Sequence, residues 1–305
     1  MKASWTSVAA LVALLCSQAS AAPASSHYLF SIPPVVSPSW LEENIYDPQL
    51  LVIDIRETAA YDSSHVPGSL SIPFAYDSLW SKFVEGDTLT MPPAEEILPA
   101  LSEQGLTTGK NVVLVTSVAE IPNGLNRATR VAATLQYAGL ATDKVGILDG
   151  GFEGWVRAGG EVSSEPVTPT PATFEGPIDE AVVVDRPYVH SSLNKVDEGV
   201  VLVDARPSTA FASGHIESAF SIPQINIWND DGTFKPANEL LELFQNGIGD
   251  APVGPDEGEI IVYCFIGLMA TGWHFVLTNV LGFQNVKLYD GSVQDWVKEY
   301  PLVTG

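Results

Sequence analysis

Leu51-Val52-Ile53-Asp54-Ile55-Arg56 returns 150 residues later as Val201-Leu202-Val203-Asp204-Ala205-Arg206. Downstream of each copy the agreement continues: His65 and Ser71-Ile72-Pro73 match His215 and Ser221-Ile222-Pro223 at the same offset. Leu148-Asp149-Gly150 with Trp155 matches Tyr289-Asp290-Gly291 with Trp296 at an offset of 141. Self-similarity over so long a period means that one supersecondary plan is used twice. Within each half, apolar runs of strand length (51–55, 111–116 and 145–148; 200–203, 259–263 and 286–289) alternate with helical periodicity at 94–104, 126–139, 237–246 and 268–281. Near-continuous Val/Ile/Leu strands separated by helices predict an α/β fold, each half a mostly parallel sheet with helices on both faces. Between the halves, 161–176 carries Pro166, Pro169 and Pro171 among Ser and Thr, and reads as a linker between domains at 24–160 and 177–305.

Cys264 ends the run Ile260-Ile261-Val262-Tyr263 and opens a turn into a helix. In open parallel sheets, ligands bind beyond the carboxyl ends of the strands, so the thiol falls at the edge where a site is expected. The other cysteine, Cys16, lies in residues 1–21, where Lys2, the apolar stretch 8–15 and Ala19-Ser20-Ala21 read as a signal peptide cleaved near Ala21. The expected mature chain is therefore secreted, and Cys264 is its single thiol, without an intramolecular disulfide partner. No stretch reaches the roughly 20 apolar residues of a membrane helix. A net charge of -23 makes nucleic acid and anionic membranes poor partners. No His/Cys cluster has metal-ligand spacing and no glycine-rich phosphate loop is present, so neither metal nor cofactor is expected.

Taken in order, these motifs resemble the rhodanese-type sulfurtransferases, specifically the tandem thiosulfate and 3-mercaptopyruvate sulfurtransferases. The carriers are the Asp-x-Arg of each half, His-Val-Pro-Gly at 65–68 with His-Ile-Glu-Ser at 215–218, both Ser-Ile-Pro triplets, Cys-x-x-Gly at 264–267 and Tyr-Asp-Gly-Ser at 289–292. The resemblance implies two tandem rhodanese-like domains and transfer of a sulfane sulfur through a Cys264 persulfide. Its donor would be thiosulfate, mercaptopyruvate or a polysulfide, and its acceptor a thiol or cyanide. It assigns the loop Phe265, Ile266, Gly267, Leu268, Met269 and Ala270, together with Arg206, to substrate binding. A helix start favours negative charge on sulfur through its free N–H groups and dipole, and such a loop can form an anion nest. The first half has Thr116 where the second has Cys264, with six extra residues before Ala128 resumes opposite Ala270. A threonine cannot carry a persulfide, so this half is expected to be noncatalytic, with His65, Arg127 and Arg130 as candidates to reach the cleft from it.

The chain departs from the family where substrates are read. Phe265 and Ile266 bring neither the basic residues of thiosulfate-type loops nor the Gly-Ser of mercaptopyruvate-type loops, and Ala210 stands where a second substrate arginine is expected. With Leu268 and Met269 they predict an apolar pocket suited to a thiol, polysulfide or protein partner. Asp204 and Arg206 also read as a loop anchor. A cysteine phosphatase would need an arginine at position 270, which is Ala. His274 lies about three helical turns from the cysteine, too far for a Cys–His pair. The competing reading is a noncatalytic rhodanese-fold module that binds a partner or a sulfur species.

Overall fold

The computed structural model describes residues 31–84, 86–119 and 122–304; the segment read as a signal peptide lies outside them. In chain order the strands are β1 (Val35–Val36), β2 (Leu50–Asp54), β3 (Leu70–Ser71), β4 (Lys82–Val84), β5 (Asp87–Thr90), β6 (Asn111–Val115), β7 (Val145–Leu148), β8 (Val183–Val184), β9 (Val200–Asp204), β10 (Ala219–Ser221), β11 (Glu259–Tyr263) and β12 (Val286–Tyr289). Two five-stranded parallel sheets form, in the orders β1-β7-β6-β2-β3 and β8-β12-β11-β9-β10. Strand for strand the orders are the same, so the repeat in sequence is a repeat in topology. β6 is buried along its whole length and β11 along all but its first residue, as strands covered on both faces must be. The antiparallel hairpin of β4 and β5 is reduced in the second half to a single antiparallel bridge between Trp228 and Phe234.

The helix Asn123–Tyr137 is buried on nearly every side because it lies between its own sheet and the second half's helix Ala270–Phe275. Its small residues Gly124, Ala128, Ala132 and Ala133 let backbones approach from both directions. The segment expected as one helix over 268–281 is a loop to Met269, then Ala270–Phe275, then a π-helical turn Val276–Val280. Thr278 Oγ1 donates to the His274 carbonyl at 2.8 Å, inserting a side chain into the helical ladder where its pitch changes. The proline-rich segment 161–176 lies extended along the first half. Ser163 forms a bridge with His65, Ala172 N donates to Ser102 O at 2.9 Å, and Phe174 is buried.

The two halves meet through residues that the repeat makes equivalent. Thr129 and Thr271, 142 positions apart as the helix offset requires, share a hydroxyl–hydroxyl hydrogen bond of 2.9 Å. Asp149 of the first Asp-Gly accepts the Phe234 N–H at 2.9 Å, and Asp290 of the second accepts the Met91 N–H at 2.7 Å. Each repeated aspartate thus clasps the backbone of the opposite half. The seam is a pseudo-twofold one, built like an isologous dimer interface inside one chain. Burial holds the Asp149 carboxyl above its ordinary range, with the Phe234 N–H pulling the other way.

Candidate active site

Cys264 follows β11 directly and is fully buried. Its N–H donates to Ser292 Oγ at 3.0 Å, and that hydroxyl donates onward to Tyr289 O at 2.9 Å, so the Tyr-Asp-Gly-Ser motif fixes the cysteine's backbone. Loop carbonyls are then taken up one by one. Val293 N donates to Cys264 O at 3.1 Å and Gln294 N to Phe265 O at 3.0 Å; Arg130 Nη1 reaches Gly267 O at 3.3 Å, and Thr271 Oγ1 donates to Leu268 O at 2.7 Å. In a trans peptide the C=O and the following N–H point oppositely. With the carbonyls of 264, 265, 267 and 268 turned outward to these partners, the N–H groups of 265, 266, 268 and 269 face the loop's interior. No N–H from Phe265 to Met269 donates to an acceptor among the described residues. Five consecutive free donors follow the buried cysteine, with Gly267 at φ 81° among them, and successive N–H groups of this kind are able to form an anion nest.

Gly267 is required sterically as well. A Cβ there would meet the Asp290 backbone O and Oδ1 at 2.5 Å and Arg130 Nη1 at 3.3 Å. Asp290 Oδ1 also takes a very short hydrogen bond from Arg130 Nη1, so carboxylate, guanidinium and glycine backbone interlock behind the loop.

The remaining expected residues are dispersed. Arg206 is buried with Nε and Nη2 forked onto Asp204, at 2.9–3.0 Å and 2.6 Å, and Nη2 also donates to Gly214 O at 2.7 Å. Arg56 repeats this on Asp54 and Ser64 O. The Asp-x-Arg pairs are thus loop anchors in both halves, although the Arg206 guanidinium also lies 5.2 Å from the Phe265 ring. His65 does not reach the cleft: its Nδ1 is 2.8 Å from Tyr61 O, its Nε2 3.1 Å from Glu165 O, and its ring stacks on Tyr61. Arg127 stays with the first half, lining a cavity with Arg56, Ser117 and Glu153. Of the three first-half candidates, Arg130 alone hydrogen-bonds the loop. Thr116 occupies the cysteine's place after β6, and its hydroxyl donates to Gly124 O at 2.8 Å. Ile266 and Met269 are half-buried, Leu268 and Ala270 buried, and Phe265 is 39% exposed. His274 is buried away from the sulfur, and desolvation lowers its pKa to about 4.

A buried cysteine after the central strand of a parallel sheet, followed by free N–H groups and faced by a second copy of the same domain, is the arrangement of a two-domain sulfurtransferase. The rhodanese-like domain model matches residues 37–158 and again 189–299, and the chain belongs to the rhodanese family. A Mycobacterium tuberculosis protein provisionally named a thiosulfate sulfurtransferase is 30% identical over 291 residues, covering 88% of this chain and 95% of that one. The sulfur carrier protein TtuD of Thermus thermophilus is 30% identical over 282 residues, covering 86% and 93%. Among solved structures, Escherichia coli SseA, described as a 3-mercaptopyruvate sulfotransferase, superposes with a TM-score of 0.70 at 26% identity, over 86% of this chain and 99% of SseA. An anaerobic ergothioneine biosynthesis enzyme from Chlorobium limicola shares the fold, with a TM-score of 0.73 at 24% identity, over 89% of this chain and 70% of that one.

Proposed function

We propose that this sulfurtransferase carries its sulfane sulfur on Cys264 as a persulfide, with the loop from Phe265 to Ala270 as the cradle for the terminal sulfur. The observation that supports this is the run of free N–H groups from Phe265 to Met269 around the buried thiol. Such donors stabilise a thiolate and a persulfide anion alike, and backbone supplies them, so the cradle is indifferent to the apolar side chains that replace the family's usual ones. Thiosulfate, mercaptopyruvate and polysulfide are the candidate donors. The exposed Phe265 ring beside half-buried Ile266 and Met269 gives the mouth an apolar rim, which suits a thiol acceptor on a small molecule or a protein better than cyanide.

The test is intact-mass measurement of the full chain after incubation with each donor. A gain of one sulfur atom that disappears in Cys264→Ser is expected. No adduct with any donor would leave a sulfur-binding module as the reading. Export rests on residues 1–21: the N-terminus of protein recovered from the culture medium should begin close after Ala21, and retention of those residues would refute it.

A further inference from the structure

Arg130 is fully buried, and one edge of its guanidinium is occupied: Nη1 serves Asp290 and Gly267 O. Its other edge is not. Nε and Nη2 are both buried and have no hydrogen-bond partner among the described residues. One helical turn earlier on the same face, Asn126 is likewise buried with neither amide atom partnered. Buried donors without acceptors are costly, and for a guanidinium more so than for a neutral group. The chain itself shows what this edge takes, because Arg56 and Arg206 lay the same Nε/Nη2 edge on a carboxylate, Nε reaching both oxygens and Nη2 one of them.

The repeat makes the placement informative. At the helix offset of 142, Arg130 corresponds to Gly272, while its neighbour Thr129 corresponds to Thr271. The pseudo-twofold seam thus delivers a guanidinium from the first half to the loop that carries the cysteine, whereas the equivalent position of the second half is Gly272, which has none to return. This happens in a chain whose working loop has no charged side chain and whose position 210 is alanine.

We propose that Arg130, lent by the silent half, is the specificity-determining cation of the site, its Nε/Nη2 fork binding two oxygens of the sulfur donor's oxyanion with Asn126 beside it. The proposal rests on the sulfurtransferase reading and names how that site recognises its donor. With thiosulfate, the Cys264 thiolate attacks the outer sulfur; the donor's S–S bond breaks as the new one forms, and sulfite departs with the bonding pair. Cys264 is left as the persulfide anion, no proton moves, and the total charge is unchanged. The fork holds the sulfonate end throughout, so donor and sulfite product are recognised by one group.

Binding and turnover are separated by titrating thiosulfate calorimetrically into Cys264→Ser, which cannot react. Adding Arg130→Lys, which keeps the charge facing Asp290 but lacks the fork, should weaken binding roughly ten- to a hundredfold. Equal affinity in the two proteins, or no binding to Cys264→Ser, overturns the proposal whatever the catalytic assays show. In the cysteine-containing protein, Arg130→Lys should raise KM for thiosulfate and the sulfite inhibition constant by a common factor. Alkylation of Cys264 by uncharged iodoacetamide, which forms the S–C bond as iodide departs and needs the thiolate but no oxyanion fork, should slow far less than thiosulfate turnover. An equal loss with both reagents would mean that Arg130 acts only as a structural prop of the loop. If the wild-type protein forms no persulfide yet Cys264→Ser binds thiosulfate through Arg130, the transfer reading fails and the oxyanion site stands.

Discussion

Gly267→Ala probes whether the loop's shape, rather than its side chains, carries the chemistry. At φ 81° an alanine incurs the left-handed penalty of about 1–2 kcal/mol. Its Cβ would also lie 2.5 Å from the backbone O and Oδ1 of Asp290, groups that β12 and Arg130 hold in place, and such overpacking costs about 1–3 kcal/mol more. If the full sum of roughly 2–5 kcal/mol must be met to assemble the cradle, persulfide formation slows by about thirtyfold to a few thousandfold. Single-turnover sulfur uptake followed by intact mass gives the rate, and thermal unfolding gives the stability. Gly282→Ala is the control: its φ is 75° but nothing lies within 4 Å of the added Cβ, so it should lose about 1–2 kcal/mol of stability and keep full activity. A Gly267→Ala protein within threefold of wild type would refute the claim that the interlock of Gly267, Asp290 and Arg130 sets the loop.

Arg206→Ala leaves the fully buried Asp204 carboxylate without its partner and should destabilise the chain by about 3–5 kcal/mol in urea unfolding; a change under 1 kcal/mol would contradict the anchoring role. His274 has a native pKa of about 4, below the unfolded value near 6.5, so its contribution to stability is complete above about pH 6.5 and is lost as pH falls toward 4, when the unfolded chain takes up a proton that the native chain refuses. That loss approaches about 3 kcal/mol, and His274→Phe should flatten the acid limb of a stability–pH curve; an unchanged limb would show that other groups govern it. Thr116→Cys in a Cys264→Ser background should gain no sulfur from thiosulfate, because the longer loop after β6 and the Thr116–Gly124 bond mark a different turn; an adduct there would mean that the first half retains a cradle.

Much of the fold was legible because fully buried parallel strands have to be continuous Val/Ile/Leu runs. The six strand runs read from sequence fall within a residue of β2, β6, β7, β9, β11 and β12. The edge strands β1 and β8, two residues each, are defined by what they pair with and carry no pattern of their own. The end of the helix after Ala270 was misjudged because apolar periodicity is blind to a threonine bonding its own backbone. At the site, Cys264 and its loop stood out, but His65 misled. It and His215 are repeated because each bridges the tail of its own half, to Ser163 and Val303. The repeated Asp-Gly pairs stood out only as markers of the repeat, and their aspartates are clasps between halves. Arg130 had one available signal, and it was negative: the repeat holds at Thr129 and Thr271 and breaks at the next residue.

The meeting of Thr129 with Thr271 has a historical consequence. Equivalent residues touch each other only on a symmetry axis, so the seam has the form of a homodimer whose two chains have become one. In such a dimer each reaction centre is completed by the neighbour, and both centres stay under the same selection. Fusion removes that constraint. In this chain the two copies already differ, with Thr116 in one where the other has Cys264, and the long helix Asn123–Tyr137 of the first lies against Ala270–Phe275 of the second, so a second half cut free would lack the helix that faces its loop.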